Sequence, residues 1–260
     1  MASTILFPSP IFGPVHSRRL GTSLGINLLP AEGKICSFDC IYCECGFNSD
    51  GRTKDATPTR EEVAQKLRAQ LDKMVRENLP LDVITFAGNG EPTLHPEFLG
   101  VMEDTIRLRD EFFPEAKVSV LTNGAQLTSE KVFRALQMCD NNIVKLDTVD
   151  MDYIRLLDRP VGTRYDVRQA VEKMREFNGH CIVQTMFLQG SHEGRDVSNV
   201  SDKYIKPWLE TLLYIQPEEV MIYTIERNTP SPHLEKATPE QLDSIAEQVR
   251  ALGLKCQVSY

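Results

Sequence analysis

Near its N-terminus the chain carries the stretch SLGINLLPAEGKICSFDCIYC, residues 23–43, which joins an apolar segment to a cysteine-rich loop. The first part, Ser23–Leu29, is short and mostly apolar, as expected of a strand buried within a sheet. The loop that follows spans about residues 30–56 and is the longest irregular part of the sequence. Long loops inside compact domains are usually functional, so we expect a binding site directly after this strand.

The pattern of a short apolar strand followed by an amphipathic helix recurs six times. Further strands are expected at Asp82–Ala87, Lys117–Leu121, Asn142–Leu146, Cys181–Leu188 and Glu219–Ile225, with a last apolar stretch at Lys255–Tyr260. Helices are expected after Thr57-Pro58 and at Pro96–Glu111, Ser129–Cys139, Tyr165–Phe177, Asp202–Ile215 and Thr238–Gly253. Nearly continuous apolar strands are typical of parallel sheets covered on both faces. The order predicts an α/β fold, either a barrel or a doubly wound sheet.

Composition indicates one soluble globular domain over residues 1–260. The chain has 41% hydrophobic and 25% charged residues, which excludes disorder and fibrous structure as overall classes. A net charge of −8 argues against a dedicated nucleic-acid binder, because phosphate contacts need clustered Lys and Arg. No apolar run approaches the length of a membrane-spanning helix, so no membrane is expected as a partner. We expect a cytoplasmic protein.

Polar residues follow several of the predicted strands. The segment Gly88-Asn-Gly-Glu-Pro92 follows the second strand, Asn123 follows the third, and Asp147 ends the fourth. In a barrel of βα units, the loops after the strands meet at one rim, where active sites form. The sequence therefore predicts a single site built from residues that are distant along the chain.

The cysteine spacing gives the most specific chemical signal. Three thiols follow a C-x3-C-x2-C pattern, at Cys36, Cys40 and Cys43. Clusters that only transfer electrons normally take four protein thiolates, so three would leave one iron open to an outside ligand. A structural zinc site that adds Cys45 is the alternative, although zinc usually takes two well-spaced ligand pairs. We interpret Cys45 as a spare thiol, and the scattered Cys139, Cys181 and Cys256 as core residues.

This motif and the βα order resemble the radical S-adenosylmethionine (SAM) superfamily along nearly the whole chain. The resemblance implies a partial (β/α)6 TIM-like barrel of parallel strands with outer helices. It implies a [4Fe–4S] cluster held by Cys36, Cys40 and Cys43, with S-adenosyl-L-methionine on the fourth iron. Reductive cleavage of SAM would then give methionine and a 5′-deoxyadenosyl radical that abstracts hydrogen from a substrate.

The resemblance also implies positions that hold SAM. Tyr42 matches the aromatic position near the adenine. Gly88-Asn-Gly-Glu-Pro92 is similar to the family's GGEP stretch, so Gly88, Asn89, Gly90 and Glu91 are expected at the SAM ammonium group. Residues expected at the SAM carboxylate, ribose or adenine are Asn123, Asp147 and Gln184. Lys145 would share a face with Asp147, as either a structural ion pair or a SAM contact.

Two further stretches are similar to the Fe–S oxidoreductase subgroup related to wyosine-type tRNA enzymes. They are Phe12–Gly21 and the strand segment that begins at Tyr223, which is included among the cofactor-binding candidates. Wyosine synthases bind a second cluster through cysteines upstream of the motif, and this chain has none before Cys36. The tRNA activity is therefore not implied. Arg18 and Arg19 in the first stretch either stabilise the base of the barrel or face an anionic substrate.

The resemblance leaves the substrate open. A protein or peptide, an RNA and a small molecule are all considered, and an open barrel side would suit a large one. A glycyl-radical activase and an RNA-modifying enzyme are both compatible. A flavodoxin or ferredoxin is expected as electron donor. The alternative from another class is an iron–sulfur electron-transfer or cluster-binding protein without radical chemistry, which would need no SAM pocket.

Overall fold

The structure is a computed structural model that describes residues 5–17, 20–50, 56–162 and 165–260. Arg18 and Arg19 lie outside the described residues, as do residues 51–55 of the cysteine loop. The two placements weighed for the arginines therefore stay predictions.

Eleven strands are present in the described chain. They are β1 (Ile11–Ser17), β2 (Gly21–Ile26), β3 (Val83–Phe86), β4 (Lys117–Thr122), β5 (Asn141–Lys145), β6 (Ile182–Met186), β7 (Leu188–His192), β8 (Arg195–Asp196), β9 (Glu219–Tyr223), β10 (Leu234–Lys236) and β11 (Cys256–Ser259). One sheet has the order β1-β2-β3-β4-β5-β6-β9-β11, and a small sheet has the order β10-β7-β8.

The main sheet is parallel from β2 through β11, and only its edge strand β1 is antiparallel to its neighbour. Seven helices of the described chain flank it: α1 (Arg60–Arg76), α2 (Phe98–Phe112), α3 (Glu130–Met138), α4 (Met151–Leu157), α5 (Val167–Glu176), α6 (Asp202–Ile215) and α7 (Pro239–Ala251). The α/β fold and the partial barrel are confirmed. None of the described helices is long and apolar enough to cross a bilayer.

Helix boundaries follow the local signals in the sequence. Thr59 and Glu62 form a capping box at the start of α1, and Thr238 and Gln241 form another at the start of α7. Each box satisfies backbone N–H groups that the first helical turn would otherwise leave without partners. The seven-residue α4 was not predicted. Asp150 caps it by accepting hydrogen bonds from two backbone N–H groups.

Two strand predictions need correction, and strand β1 was not predicted. The first parallel strand ends at Ile26 rather than Leu29, because the Asn27 side chain accepts a hydrogen bond from the Leu29 backbone and turns the chain. The predicted strand Cys181–Leu188 is two strands that divide at Phe187. Strand β1 was missed because Gly13 and Pro14 interrupt its pattern, and its pairing shows a bulge there.

Alternate residues of the parallel strands face two different environments. The outward residues are apolar and pack against the helices, as Leu24, Ile84 and Val183 do. The inward residues include Ser23, Thr85 and Gln184, which line a cavity inside the barrel. A separate apolar cluster contains Ile143, Ile182 and Met221, with Leu20 and Leu121 packed against it. The loops that follow the carboxyl ends of the parallel strands form the rim of the barrel.

Candidate functional site

The cysteine loop is attached to the loop that follows β3. The backbone N–H of Ile35 donates to the carbonyl of Asn89 at 3.0 Å, and the N–H of Glu91 donates to the carbonyl of Ile35 at 3.1 Å. Gly90 lies between them at a φ of +133°, and a Cβ there would approach the Ile35 carbonyl oxygen to 1.8 Å. The glycine is required because the two backbones run this close together.

The other side of the cysteine loop pairs with the segment that follows α4. The N–H of Asp39 donates to the Asp158 carbonyl at 3.0 Å, and the N–H of Ile41 donates to the Leu157 carbonyl at 2.9 Å. The loop is thus held by backbone hydrogen bonds on both sides. Its shape is set by the polypeptide itself.

The chemistry of the three motif cysteines fits the ligand set of an iron–sulfur cluster. Cys36 Sγ accepts hydrogen bonds from the Phe38 backbone at 3.4 Å and from Asn123 Nδ2 at 3.5 Å. Donors to ligand sulfur are one of the ways in which proteins tune such clusters. Burial raises the pKa of Cys36 to about 12 and raises that of Cys40 as well, and a bound metal would favour their thiolate forms.

A single metal ion has no comparable site in the described ranges. Nowhere in residues 5–17, 20–50, 56–162 and 165–260 do three His, Cys, Asp or Glu side chains converge on a point where one ion could be held. The zinc alternative therefore gains no support from the described chain. A cubane cluster spreads its thiolates over separate iron atoms, so this finding does not bear on it.

Cys45 lies beside the third motif cysteine. A hydrogen bond from the Cys45 thiol lowers the pKa of Cys43 to about 6. Cys45 Sγ also lies 3.4 Å from the carbonyl oxygen of Gly88. Its interpretation as a spare thiol stays a prediction, and the structure adds that it contacts both the motif and the β3 loop.

Lys34 is a buried cation at the same thiols, and sequence reasoning missed it. Its side chain is 2% exposed, and Nζ donates to the Gly46 carbonyl at 2.9 Å. Burial alone would lower the pKa of Lys34, but Cys43, Cys36 and Cys40 raise it above its usual value. A lysine in a loop is usually solvated, and no local signal distinguishes this one.

Glu91 is buried, and its carboxylate already has four donors. Oε1 accepts from the Thr93 backbone at 3.1 Å, the Thr93 hydroxyl at 2.6 Å and the Thr122 hydroxyl at 2.7 Å. Oε2 accepts from the Asn123 backbone at 2.7 Å. Glu91 thus joins the β3 loop to the β4 loop and fixes the position of Asn123. A direct contact of Glu91 with SAM stays a prediction.

Asn89 is also buried, and its side chain forms hydrogen bonds with neighbouring backbone groups. Nδ2 donates to the carbonyls of Phe7 at 2.9 Å and Pro30 at 2.8 Å, and Oδ1 accepts from the Phe7 N–H at 2.8 Å. These bonds hold the N-terminal segment and the start of the cysteine loop. The side chain is fully used there, so a part in cofactor binding would fall to its backbone and stays a prediction.

Lys145 is the centre of a buried charged network at the rim. Its ammonium contacts Asp147, the hydroxyl of Tyr42 and, at 2.6 Å, Asp158 Oδ1. Asp147 Oδ1 also accepts from the Met186 backbone at 2.9 Å. Burial would lower the pKa of Lys145, but the two aspartates raise it. Of the two roles predicted for Lys145, the structure contains the ion pair, which also fixes Tyr42 beside Cys43.

The remaining predicted residues lie in two cavities. Tyr223 and Tyr42 line a small cleft of about 60 Å³. Gln184 pairs in register with Lys145 and lines the larger cavity of the barrel. Most of the predicted residues therefore lie together at the rim, while Gln184 lines the larger cavity. Asp158 was missed because it is distant in sequence from every motif.

Comparison with known sequences identifies the family. Residues 33–196 match the sequence model of the Radical SAM superfamily. A UPF0026 protein from Synechocystis sp. is 31% identical over 232 residues, which cover 86% of this chain and 78% of that protein. GTPase Obg from Brachyspira hyodysenteriae is 28% identical over 244 residues, which cover 93% of this chain. The chain spans 33%, 63%, 62% and 53% of the length of four of its curated relatives.

Solved structures share the fold at low sequence identity. A radical SAM methyltransferase from Sphaerobacter thermophilus superposes with a TM-score of 0.67 at 18% identity, covering 92% of this chain and 66% of that one. TYW1 with a bound lysine-pyruvate adduct superposes with a TM-score of 0.63 at 12% identity, covering 90% of this chain and 75% of that one. Together with the family match, these findings show that the chain belongs to the radical SAM superfamily.

Proposed function

We propose that the protein is a radical SAM enzyme in which Cys36, Cys40 and Cys43 hold a [4Fe–4S] cluster. The observation that carries the proposal is the three-cysteine loop, which is held on both sides by backbone hydrogen bonds and has donors aimed at Cys36 sulfur. When bound, the reduced cluster supplies the electron that cleaves SAM to methionine and a 5′-deoxyadenosyl radical, which abstracts hydrogen from the substrate.

Residues of this chain would orient SAM and keep water away. The turn that Glu91 holds presents Asn123 beside Cys36, where the SAM amino and carboxylate groups would lie. The cleft between Tyr42 and Tyr223 offers aromatic faces for the adenine. Because Lys145 fixes the Tyr42 hydroxyl, that face is positioned before SAM binds.

The reaction that the radical performs and the electron donor are also proposed. Activation of a glycyl-radical enzyme and modification of RNA are both compatible with the fold, which by itself does not choose between them. A flavodoxin or ferredoxin would supply the electron. All seven cysteines are free thiols, which suits a reducing compartment such as the cytoplasm.

The test is anaerobic reconstitution with iron and sulfide, followed by titration with SAM. SAM should perturb the EPR spectrum of the reduced cluster, and 5′-deoxyadenosine should accumulate when a reductant is present. A cluster that assembles and reduces but whose spectrum ignores SAM would instead establish the electron-transfer alternative.

Replacing Lys34 with glutamine should make the cluster harder to reduce. Glutamine keeps a donor for the Gly46 carbonyl but removes the buried positive charge that favours the reduced, more negative cluster. We expect the equilibrium constant for one-electron reduction to fall at least about tenfold, or about 59 mV, in an EPR-monitored redox titration without SAM. Lys34→Arg should keep the potential. An unchanged potential in Lys34→Gln would show that the charge is not felt at the cluster.

A further inference from the structure

The barrel encloses a cavity of about 330 Å³ that is separate from the cysteines. Ala87, Leu121, Ile143 and Met221 give it apolar walls. Three of these, Leu121, Ile143 and Met221, belong to the apolar cluster that also contains Ile182. The exposed residues Val15 and His16 line the cavity as well, so it reaches solvent beside β1.

The N-terminal strand β1 forms one side of this cavity. The ring of Phe12 lies directly on Gly25, where an added Cβ would approach ring carbon to 2.1 Å. Phe7 packs on Phe12 with ring centroids 4.6 Å apart. These two rings narrow the cavity beside the edge strand β1.

An ion pair lies where the cavity adjoins the cleft of Tyr42 and Tyr223. Arg227 Nη1 donates to Glu44 Oε2 at 2.7 Å and joins the loop after β9 to the cysteine loop. Both residues line the barrel cavity and also the cleft of Tyr42 and Tyr223. The pair therefore lies between the cleft proposed for SAM and the barrel cavity, as a boundary that the two spaces share.

Among the polar side chains in the cavity wall, one amide donor has no hydrogen-bond partner in the described chain. Ser23 and Thr85 bond to each other at 2.8 Å, so their hydroxyl groups have partners. Gln184 is 9% exposed, and its Nε2 has no hydrogen-bond partner in the described chain. Buried amide donors without partners are rare in native proteins and call for an explanation. A ligand oxygen would supply the missing acceptor.

We propose that this cavity binds the substrate, and that the substrate is a small, uncharged, mainly apolar molecule with a carbonyl or ether oxygen for Gln184. The inference deepens the proposed function and rests on it. The volume is at the low end of small-molecule pockets. Glu44 and Arg227 in the lining are paired with each other, and much of the remaining wall is apolar, which disfavours a charged group that would be buried without a partner. A polymer such as RNA would exceed this volume.

The test compares two probes of similar shape on the reconstituted protein. Acetophenone carries a carbonyl oxygen, and ethylbenzene lacks it. Ligand-observed NMR should show that wild type binds acetophenone about two- to tenfold more tightly, which is the value of one neutral hydrogen bond. Gln184→Met should remove this preference while both probes still bind. Gln65→Met, on the exposed face of α1, is the matched control and should keep it.

A second variant tests whether the probes bind in the barrel cavity. Ala87→Leu should fill part of the cavity and weaken both probes at least about tenfold, and its melting temperature should be checked against wild type. If wild type binds neither probe while SAM cleavage is normal, the cavity proposal is wrong and the proposed function stands. SAM cleavage that an RNA or a protein stimulates, and that acetophenone does not inhibit, would also overturn it. Absence of cluster and SAM cleavage would instead refute the proposed function.

Discussion

Replacing Cys36, Cys40 or Cys43 singly with alanine will leave a folded protein that holds no intact cluster and does not cleave SAM. Each thiolate is assigned one iron, so the loss of any one of them opens a second coordination position. The protein should still fold, because backbone bonds to residues 89–91 and 157–158 hold the loop without the cluster. Iron and sulfide analysis, the visible absorbance of the cluster and 5′-deoxyadenosine formation measure the outcome.

Cys45→Ala is the matched control for this series. The thiol lies in the same loop and beside Cys43, but it has no corner in the proposed ligand set. The variant should keep both its iron and SAM cleavage. If Cys45→Ala lost the cluster while one of the three motif variants kept it, the ligand assignment would be wrong.

Lys145→Met should be among the most destabilising substitutions in the barrel. It leaves Asp147 and Asp158 buried beside each other without their shared cation. Removing one partner from a buried ion pair typically costs about 3–5 kcal/mol of the free energy of unfolding. Denaturant unfolding of the protein before cluster reconstitution would measure this loss.

The pH dependence and two further variants separate this effect from lost packing. Burial already raises the pKa of Asp158, and removing Lys145 raises it further. A folded-state pKa above the unfolded value means that stability falls as pH rises, so Lys145→Met should recover part of its stability on acidification. Adding Asp158→Asn should restore part of it at neutral pH. Lys206→Met removes an exposed pair with Asp202 and should have little effect. A pH-independent loss would point to packing alone.

The sequence predicted the parts of this fold that local patterns encode. Six parallel strands and the capping boxes at Thr59 and Thr238 were identified because burial on both faces and cap chemistry leave continuous signals. Strand β1 was missed because Gly13 and Pro14 weaken a strand pattern, and here the neighbouring β2 supplies the pairing. Pairing with β2 therefore makes this segment a strand, although its local strand propensity is weak.

The residues of the site also fall into two groups, those that local motifs predict and those that depend on long-range packing. The cysteine spacing and the Gly88–Pro92 segment are local motifs, so they were found. Lys34 and Asp158 acquire their roles only through burial and through neighbours distant along the chain, which no spacing rule encodes. Glu91 was identified as a site residue, yet its four protein donors depend on how two loops meet. Motifs therefore located the site, and long-range packing determined what its polar groups contact.

The attachment of the cysteine loop to two distant segments sets an order of events during biosynthesis. The N–H of Ile35 donates to the carbonyl of Asn89. The N–H of Val161 donates to the Ser37 carbonyl at 2.8 Å. A nascent chain that has emerged from the ribosome only as far as the cysteines has none of these partners. The loop can be shaped only after residue 161 is available, well past the middle of the chain. The machinery that delivers iron and sulfide therefore meets a shaped loop only after β2 to β5 and α4 have been made, and cluster insertion cannot precede their synthesis.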